Sequence, residues 1–198
     1  TEEYGSQPPI IYNGVPEVEQ KAYDGLKAGK TNILFAGRLD DQKGIVHLVA
    51  VIKGLQNMPQ YHFHVIGGGR LQDMVDRELG GLPNVTIRLP LYGISGYLAS
   101  FDYMFMPSEF EGLPLMSVEA AFAGLPVVCS DCKGLNETVP KDWPLVAHDN
   151  SHEQYFHIFR SVIPNADRTM LSQQARQFVA VRFGVEQMQR KYEKLYLG

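Results

Sequence analysis

An α/β protein built on a doubly wound parallel sheet is the fold class this 198-residue chain predicts. Two observations carry it. From Asn32 onward, short apolar runs alternate with helix-length amphipathic segments. The short runs are also nearly continuously apolar, as strands are when helices cover both faces of their sheet. The composition agrees, at 44% hydrophobic and 20% charged residues, which is that of a globular chain and not of a disordered one. A chain this long buries roughly 70% of its unfolded surface on folding.

The first thirty residues form a lead-in, broken by Pro8, Pro9, Gly14, Pro16, Gly25 and Gly29. Strands are then predicted over 32–36, 62–66, 84–89, 103–106, 126–129 and 145–147. Each is rich in Val, Ile, Phe or Leu and ends near Gly, Pro, Ser or Asp. A helix over 44–55 places Val46, Leu48, Val49, Ile52 and Leu55 near one face, and a second over 71–79 aligns Leu71, Met74, Val75 and Leu79. A third, over 114–122, opens on Pro114, which suits a first helical turn, and stops before Gly124. Beyond Ala147 the alternation ends and the segments 153–162, 168–181 and 185–197 read as extra C-terminal helices.

Composition excludes several function classes. A net charge of -4 argues against a nucleic-acid binder, and two cysteines exclude a disulfide scaffold and fit a reducing compartment. No apolar run reaches the roughly 18 residues that a membrane span needs. The acidic start Thr1-Glu2-Glu3-Tyr4 lacks a signal-peptide apolar region. The expectation is a soluble cytoplasmic protein, with peripheral contact at the inner face of the membrane left open.

In doubly wound folds ligands bind beyond the carboxyl ends of the strands. After the first strand come Gly37, Arg38, Asp40, Asp41 and Lys43. Gly37 permits a close turn and an aspartate suits the following helix cap. Arg38 and Lys43 put two cations where a helix mouth already favours an anion. The same residues also read as a solvated loop of paired charges. After the fourth strand, the amides of Gly112, Leu113 and Leu115 approach the next helix mouth, while Pro114 has no N–H to offer. Glu111 precedes that helix, and Glu119 lies five residues past Pro114, roughly 7–8 Å along the axis. Two such carboxylates suit paired sugar hydroxyls better than phosphate. Alternatively, Glu111 is a favourable helix-terminal charge and Glu119 a surface residue.

The turn Ile66-Gly67-Gly68-Gly69-Arg70 fails the dinucleotide fingerprint, because Gln72 stands where its third glycine belongs. It reads as a tight turn or as a close approach to a ligand or neighbouring loop. Cys129 and Cys132 have no second pair and no matching histidines, so they read as a strand and a loop cysteine. His62 and His64 share a strand face and His47 sits among apolar helix neighbours. His148, His152 and His157 show no metal spacing. Asp40-Asp41 are adjacent and suit caps, so no metal site is expected.

Together these segments resemble the C-terminal, donor-binding domain of GT-B retaining glycosyltransferases of group 1 (family 4). The resemblance rests on Gly37-Arg38…Lys43-Gly44, on Ile66-Gly67-Gly68-Gly69, and on Pro107-Ser108…Glu111-Gly112-Leu113-Pro114…Glu119-Ala120, which matches the family's E-x7-E segment. Ala123-Gly124-Leu125-Pro126-Val127-Val128…Gly134…Glu137 completes it. It covers roughly 13–198 and implies one half of a GT-B fold, with a Rossmann-like sheet. Residues 1–30 would be hinge and lead-in, 31–198 the nucleotide-sugar-binding domain, and an N-terminal partner domain would precede them. Arg38 and Lys43 would then hold the diphosphate, Glu111 the sugar hydroxyls and Glu119 the ribose. Gly37 and the backbone of Gly112, Leu113, Pro114 and Leu115 would line sugar and phosphate, with Leu91 beside the base. Arg38, Lys43 and Glu111 would form the catalytic group of a carbohydrate-biosynthesis transferase. The donor would be a UDP-sugar, or a GDP- or ADP-sugar, and the acceptor a saccharide or a lipid-linked one. The chain by itself would be inactive. A non-hydrolysing sugar-nucleotide 2-epimerase domain and a non-catalytic nucleotide-sugar-binding module are the competing readings.

Overall fold

The computed structural model describes residues 10–197. The part of the lead-in that holds Pro8 and Pro9 lies outside the described residues. Six parallel strands form one sheet: β1 (Thr31–Arg38), β2 (Tyr61–Gly68), β3 (Val85–Arg88), β4 (Tyr103–Met106), β5 (Val127–Ser130) and β6 (Val146–Ala147). Their order is β3-β2-β1-β4-β5-β6. The chain therefore winds outward from β1 to one edge, returns to the centre at β4, and winds to the other edge. Right-handed crossovers then put α1 (Ile45–Gly54) and α2 (Gln72–Leu79) on one face and α3 (Leu115–Phe122) on the other. Of the later helices, α4 (His152–His157) packs on α1, and α5 (Arg168–Phe183) packs on α3 and on α6 (Val185–Leu197).

The expected strands are all present, and the central ones bury on both sides. Ile33, Leu34, Val65, Met104, Phe105 and Val128 have no exposed surface. The central strands run further than their apolar runs, to Arg38 and Gly68, because β1 and β2 pair in register from Thr31↔Tyr61 to Arg38↔Gly68. The carboxyl ends of these longer strands thus reach the switch point between β1 and β4, where the crevice of such a fold opens.

Some expectations are corrected. Val46 points outward and is 54% exposed. In α1 the buried stripe runs through Ile45, Leu48, Val49, Val51 and Ile52 instead. The segment 153–162 is α-helical only to His157 and then widens to a π-helical turn over Ile158–Val162. A 3₁₀ segment, Ile94–Ser100, opens from Gly93 at φ 71 and was not predicted, its apolar pattern being too short to show helical periodicity. The glycines at the end of β2, Gly67 to Gly69, are no positive-φ turn. A side chain at Gly67 would strike the carbonyl oxygen of Gly37, and one at Gly69 the backbone of Leu39. They let the ends of β1 and β2 approach, which is the neighbouring-loop alternative.

His62 and His64 do share a buried face, with ring centroids 5.0 Å apart. His64 Nε2 lies 2.8 Å from Asn32 Oδ1. Burial, with His62, Arg88 and Lys27 nearby, lowers its pKa from 6.5 to about 4. Between those values the unfolded chain holds a proton that the folded chain lacks. Stability is therefore full above pH 6.5 and falls as pH drops towards 4. In urea titrations His64→Phe is expected to show a flatter pH dependence of unfolding free energy across this window. A slope equal to the parent's would overturn the assignment.

Candidate functional site

The loop after β1 is built by its own capping residues. Asp40, extended at φ -141, accepts a hydrogen bond from the Lys43 amide at 3.2 Å and closes the short turn Asp41–Lys43. Gly44, at φ 66, then opens α1. It is also where the loop meets β4, since a Cβ there would strike the Pro107 carbonyl. The Glu109 amide donates to the Gln42 carbonyl at 2.9 Å. Two loops far apart in sequence are thereby pinned side by side at the switch point.

Lys43 and Glu111 meet across that seam. Lys43 Nζ donates to Glu111 Oε1 at 2.7 Å, and the buried Ser108 hydroxyl donates to the same oxygen at 2.8 Å. The two charged side chains are 21% and 6% exposed. The Glu111 amide bonds the Lys133 carbonyl at 3.2 Å, so the loop after β5 braces the carboxylate from behind. Pro114, extended, stands at the cap of α3, and Leu115 is the first helical residue. The backbone from Gly112 to Leu115 thus forms a positive helix mouth beside the pair.

Arg38 reaches out from the end of β1. Its guanidinium bonds Asp40 Oδ2 and Gln42 Oε1, each at 3.0 Å, and stays 67% exposed. An exposed ion pair of this kind is worth little, so the Asp40 contact is readily exchanged. Gly37 and Arg38 line a cleft of about 270 Å³ with Gly67, Gly68, Pro90, Leu91, Ile94 and Met116. Glu119 does not open into it. Its Oε2 accepts from the Ser95 hydroxyl at 2.7 Å. It faces a neighbouring hollow of about 290 Å³ bounded by Pro16, Val18, Phe122 and Arg176. Ile94 and Ser95, adjacent in the chain, line the cleft and the hollow respectively.

The structure therefore brings Lys43 and Glu111 into contact, gathers Gly37, Arg38 and Leu91 on one cleft, and sets Glu119 behind Ser95. Sequence reasoning assigned nothing to Gln42, Ser95 or Ser108. Ser108 stood in the Pro-Ser pair before Glu111, but the hydroxyls and the amide act only through partners that folding supplies.

Both cysteines are free. Burial raises both thiols above their ordinary range, so neither carries a resting thiolate. His47 Nε2 pairs with Glu109 Oε1 at 2.7 Å, in addition to packing on Tyr155. Among the described residues no group of three or more His, Cys, Asp or Glu is placed to hold a metal ion. No helix there is long and apolar enough to cross a membrane.

A parallel sheet of this order, with its crevice at the central switch point, is a Rossmann-like sheet of the kind that forms each half of a GT-B fold. The solved structure of WaaG, a glycosyltransferase involved in lipopolysaccharide biosynthesis, superposes with a TM-score of 0.76 at 18% identity, over 100% of this chain and 59% of its own. The family model for glycosyl transferases group 1 matches residues 30–163, and the chain belongs to that family. It is 30% identical over 127 residues to a putative teichuronic acid biosynthesis glycosyltransferase, TuaC, of Bacillus subtilis, across 64% of this chain and 31% of that protein. It is 25% identical over 181 residues to the UDP-Gal:alpha-D-GlcNAc-diphosphoundecaprenol alpha-1,3-galactosyltransferase of Escherichia coli, across 87% of this chain and 47% of that protein. The chain thus spans less than half the length of these two relatives.

Proposed function

We propose that this chain binds the nucleoside diphosphate sugar donor of a retaining glycosyltransferase. The observation that carries the reading is the Lys43–Glu111 contact, set at the mouth of α3 and against the loop that bears Arg38. Arg38 and Lys43 grip the diphosphate, and the backbone from Gly112 to Leu115 lines phosphate and sugar. Glu111 accepts from sugar hydroxyls, and Glu119, turned from Ser95 towards the cleft, accepts from the ribose. Leu91, in the cleft beside Gly37, lies against the base. A UDP-sugar leads, because one relative is named for UDP-galactose.

Negative charge grows on the diphosphate as the glycosidic bond breaks. Cations and helix dipoles fixed before the reaction stabilise it without reorganising. Arg38, Lys43 and the helix mouth of α3 are the groups that meet this charge, so the proposed chemistry takes no metal. The saccharide or lipid-linked acceptor is bound by a second domain, and closure of the two domains completes the site. A lipid-linked acceptor would place the reaction at the inner face of the membrane. This chain is therefore expected to bind donor and to transfer sugar very slowly.

Thermal unfolding with UDP, GDP, ADP and their sugars tests the reading. A ligand at 100 times its Kd stabilises the fold by about 2.7 kcal/mol. One nucleotide is expected to raise the melting temperature, with or without a chelator, and Arg38→Ala or Glu119→Ala to reduce the shift. No shift with any nucleotide at millimolar concentration would sink the proposal.

A further inference from the structure

We propose that Gln42 is a positioning residue that aims the Arg38 guanidinium at the diphosphate. The inference rests on the donor-site reading above and adds a residue to it. Gln42 touches both loops of the site three times. Its carbonyl accepts from the Glu109 amide at 2.9 Å. Its side-chain Nε2 donates to the Phe110 carbonyl at 3.3 Å, and its Oε1 accepts from Arg38 Nη2 at 3.0 Å.

The chemistry of the neighbours orients the amide. A guanidinium offers only donors and a peptide carbonyl only acceptors, so the oxygen must face Arg38 and the nitrogen Phe110. A glutamate would satisfy Arg38 and repel Phe110, and a lysine would do the reverse. Among the described residues Gln42 is thus the one side chain that ties the guanidinium, at the end of β1, to the loop carrying Glu111. Asp40 holds Nη1 of the same guanidinium but belongs to Arg38's own loop. Among the described residues only the Gln42 contact references Arg38 to the opposite side of the site, so Gln42 sets where the fork points when the exposed Asp40 contact gives way to phosphate. The backbone bond from Glu109 does not depend on the side chain, so the loops stay joined when Gln42 is replaced.

Gln42→Met keeps length and that backbone bond but removes both polar contacts. Titration calorimetry is expected to show UDP binding weakened roughly 5-fold to 10-fold, about the worth of one ordinary hydrogen bond. Uridine, which has no phosphate to engage Arg38, should bind Gln42→Met as it binds the parent. In an Arg38→Ala background the Gln42→Met change should cost nothing further, and the ligand-free melting temperature should hold. Equal weakening of UDP and uridine, or an undiminished effect in the Arg38→Ala background, would overturn the inference and make Gln42 a loop brace. Normal UDP affinity in Gln42→Met would overturn it too, while Arg38→Ala losing affinity would leave the donor-site reading intact. An Arg38→Ala variant that binds UDP normally, or a parent that does not bind it, would overturn both.

Discussion

Lys43→Ala is expected to weaken binding of the donor's nucleoside diphosphate by about 10-fold to 100-fold, the worth of one charge-assisted hydrogen bond of roughly 1.5–3 kcal/mol. The same change strips the nearly buried Glu111 of its cation and leaves it the Ser108 hydroxyl. An uncompensated carboxylate in that position costs about 1–3 kcal/mol. At about 2–4 °C per kcal/mol for a chain of this size, the melting temperature falls measurably. Lys43→Ala/Glu111→Gln separates the two effects. It removes the stranded charge and should recover the melting temperature, but not the affinity. Calorimetric titration beside thermal unfolding reads both. Unchanged affinity in Lys43→Ala would take that residue out of the diphosphate site, and an unchanged melting temperature would deny the ion pair any structural weight.

Gly44→Ala has the largest expected effect on stability, about 3 kcal/mol, summed from two costs. A non-glycine residue held at φ 66 pays roughly 1–2 kcal/mol. The new methyl group also strikes the Pro107 carbonyl at the end of β4, and the loop after β1 must lift to escape it. The melting temperature should fall by about 6–12 °C. Because Gln42 and Lys43 ride on that loop, the nucleotide-induced shift should weaken as well. Gly81→Ala is the control. No atom lies within 4 Å of where its new methyl group would sit, and its φ is not positive, so its effect should stay within about 1 kcal/mol. A loss in Gly44→Ala no greater than in Gly81→Ala would show that the seam between the loops yields easily.

Much of the fold was legible because its signals are local. The runs beginning at Asn32, His62 and Tyr103 bury on both faces, so neither side of them faces water and the parallel class followed. Asp40 and Pro114 were legible only in part. Asp40 caps the short turn Asp41–Lys43 and not α1, which opens from Gly44. Pro114 is the extended cap of α3 and not part of its first turn. Val46 misled because one more apolar residue widened the apparent stripe of α1, and only packing on α2 and α4 shows which face is covered. The 3₁₀ segment Ile94–Ser100 escaped because it is held from outside, by Gln20 on its Ser95 carbonyl and Ala99 amide.

The candidate site divides along the same line. Residue types and short spacings by themselves placed Arg38 and Lys43 at one strand end and Glu111 and Glu119 around one helix, since each lies within a single loop or turn of its signature. The contacts that turn those residues into a site were decided by tertiary structure alone. Lys43 and Glu111 are 68 residues apart, as are Gln42 and Phe110, and Ser95 and Glu119 are 24 apart. No local pattern encodes such pairs, because a hydroxyl, an amide or a carboxylate finds its partner only once the sheet order β3-β2-β1-β4-β5-β6 has carried both strand ends to the same switch point.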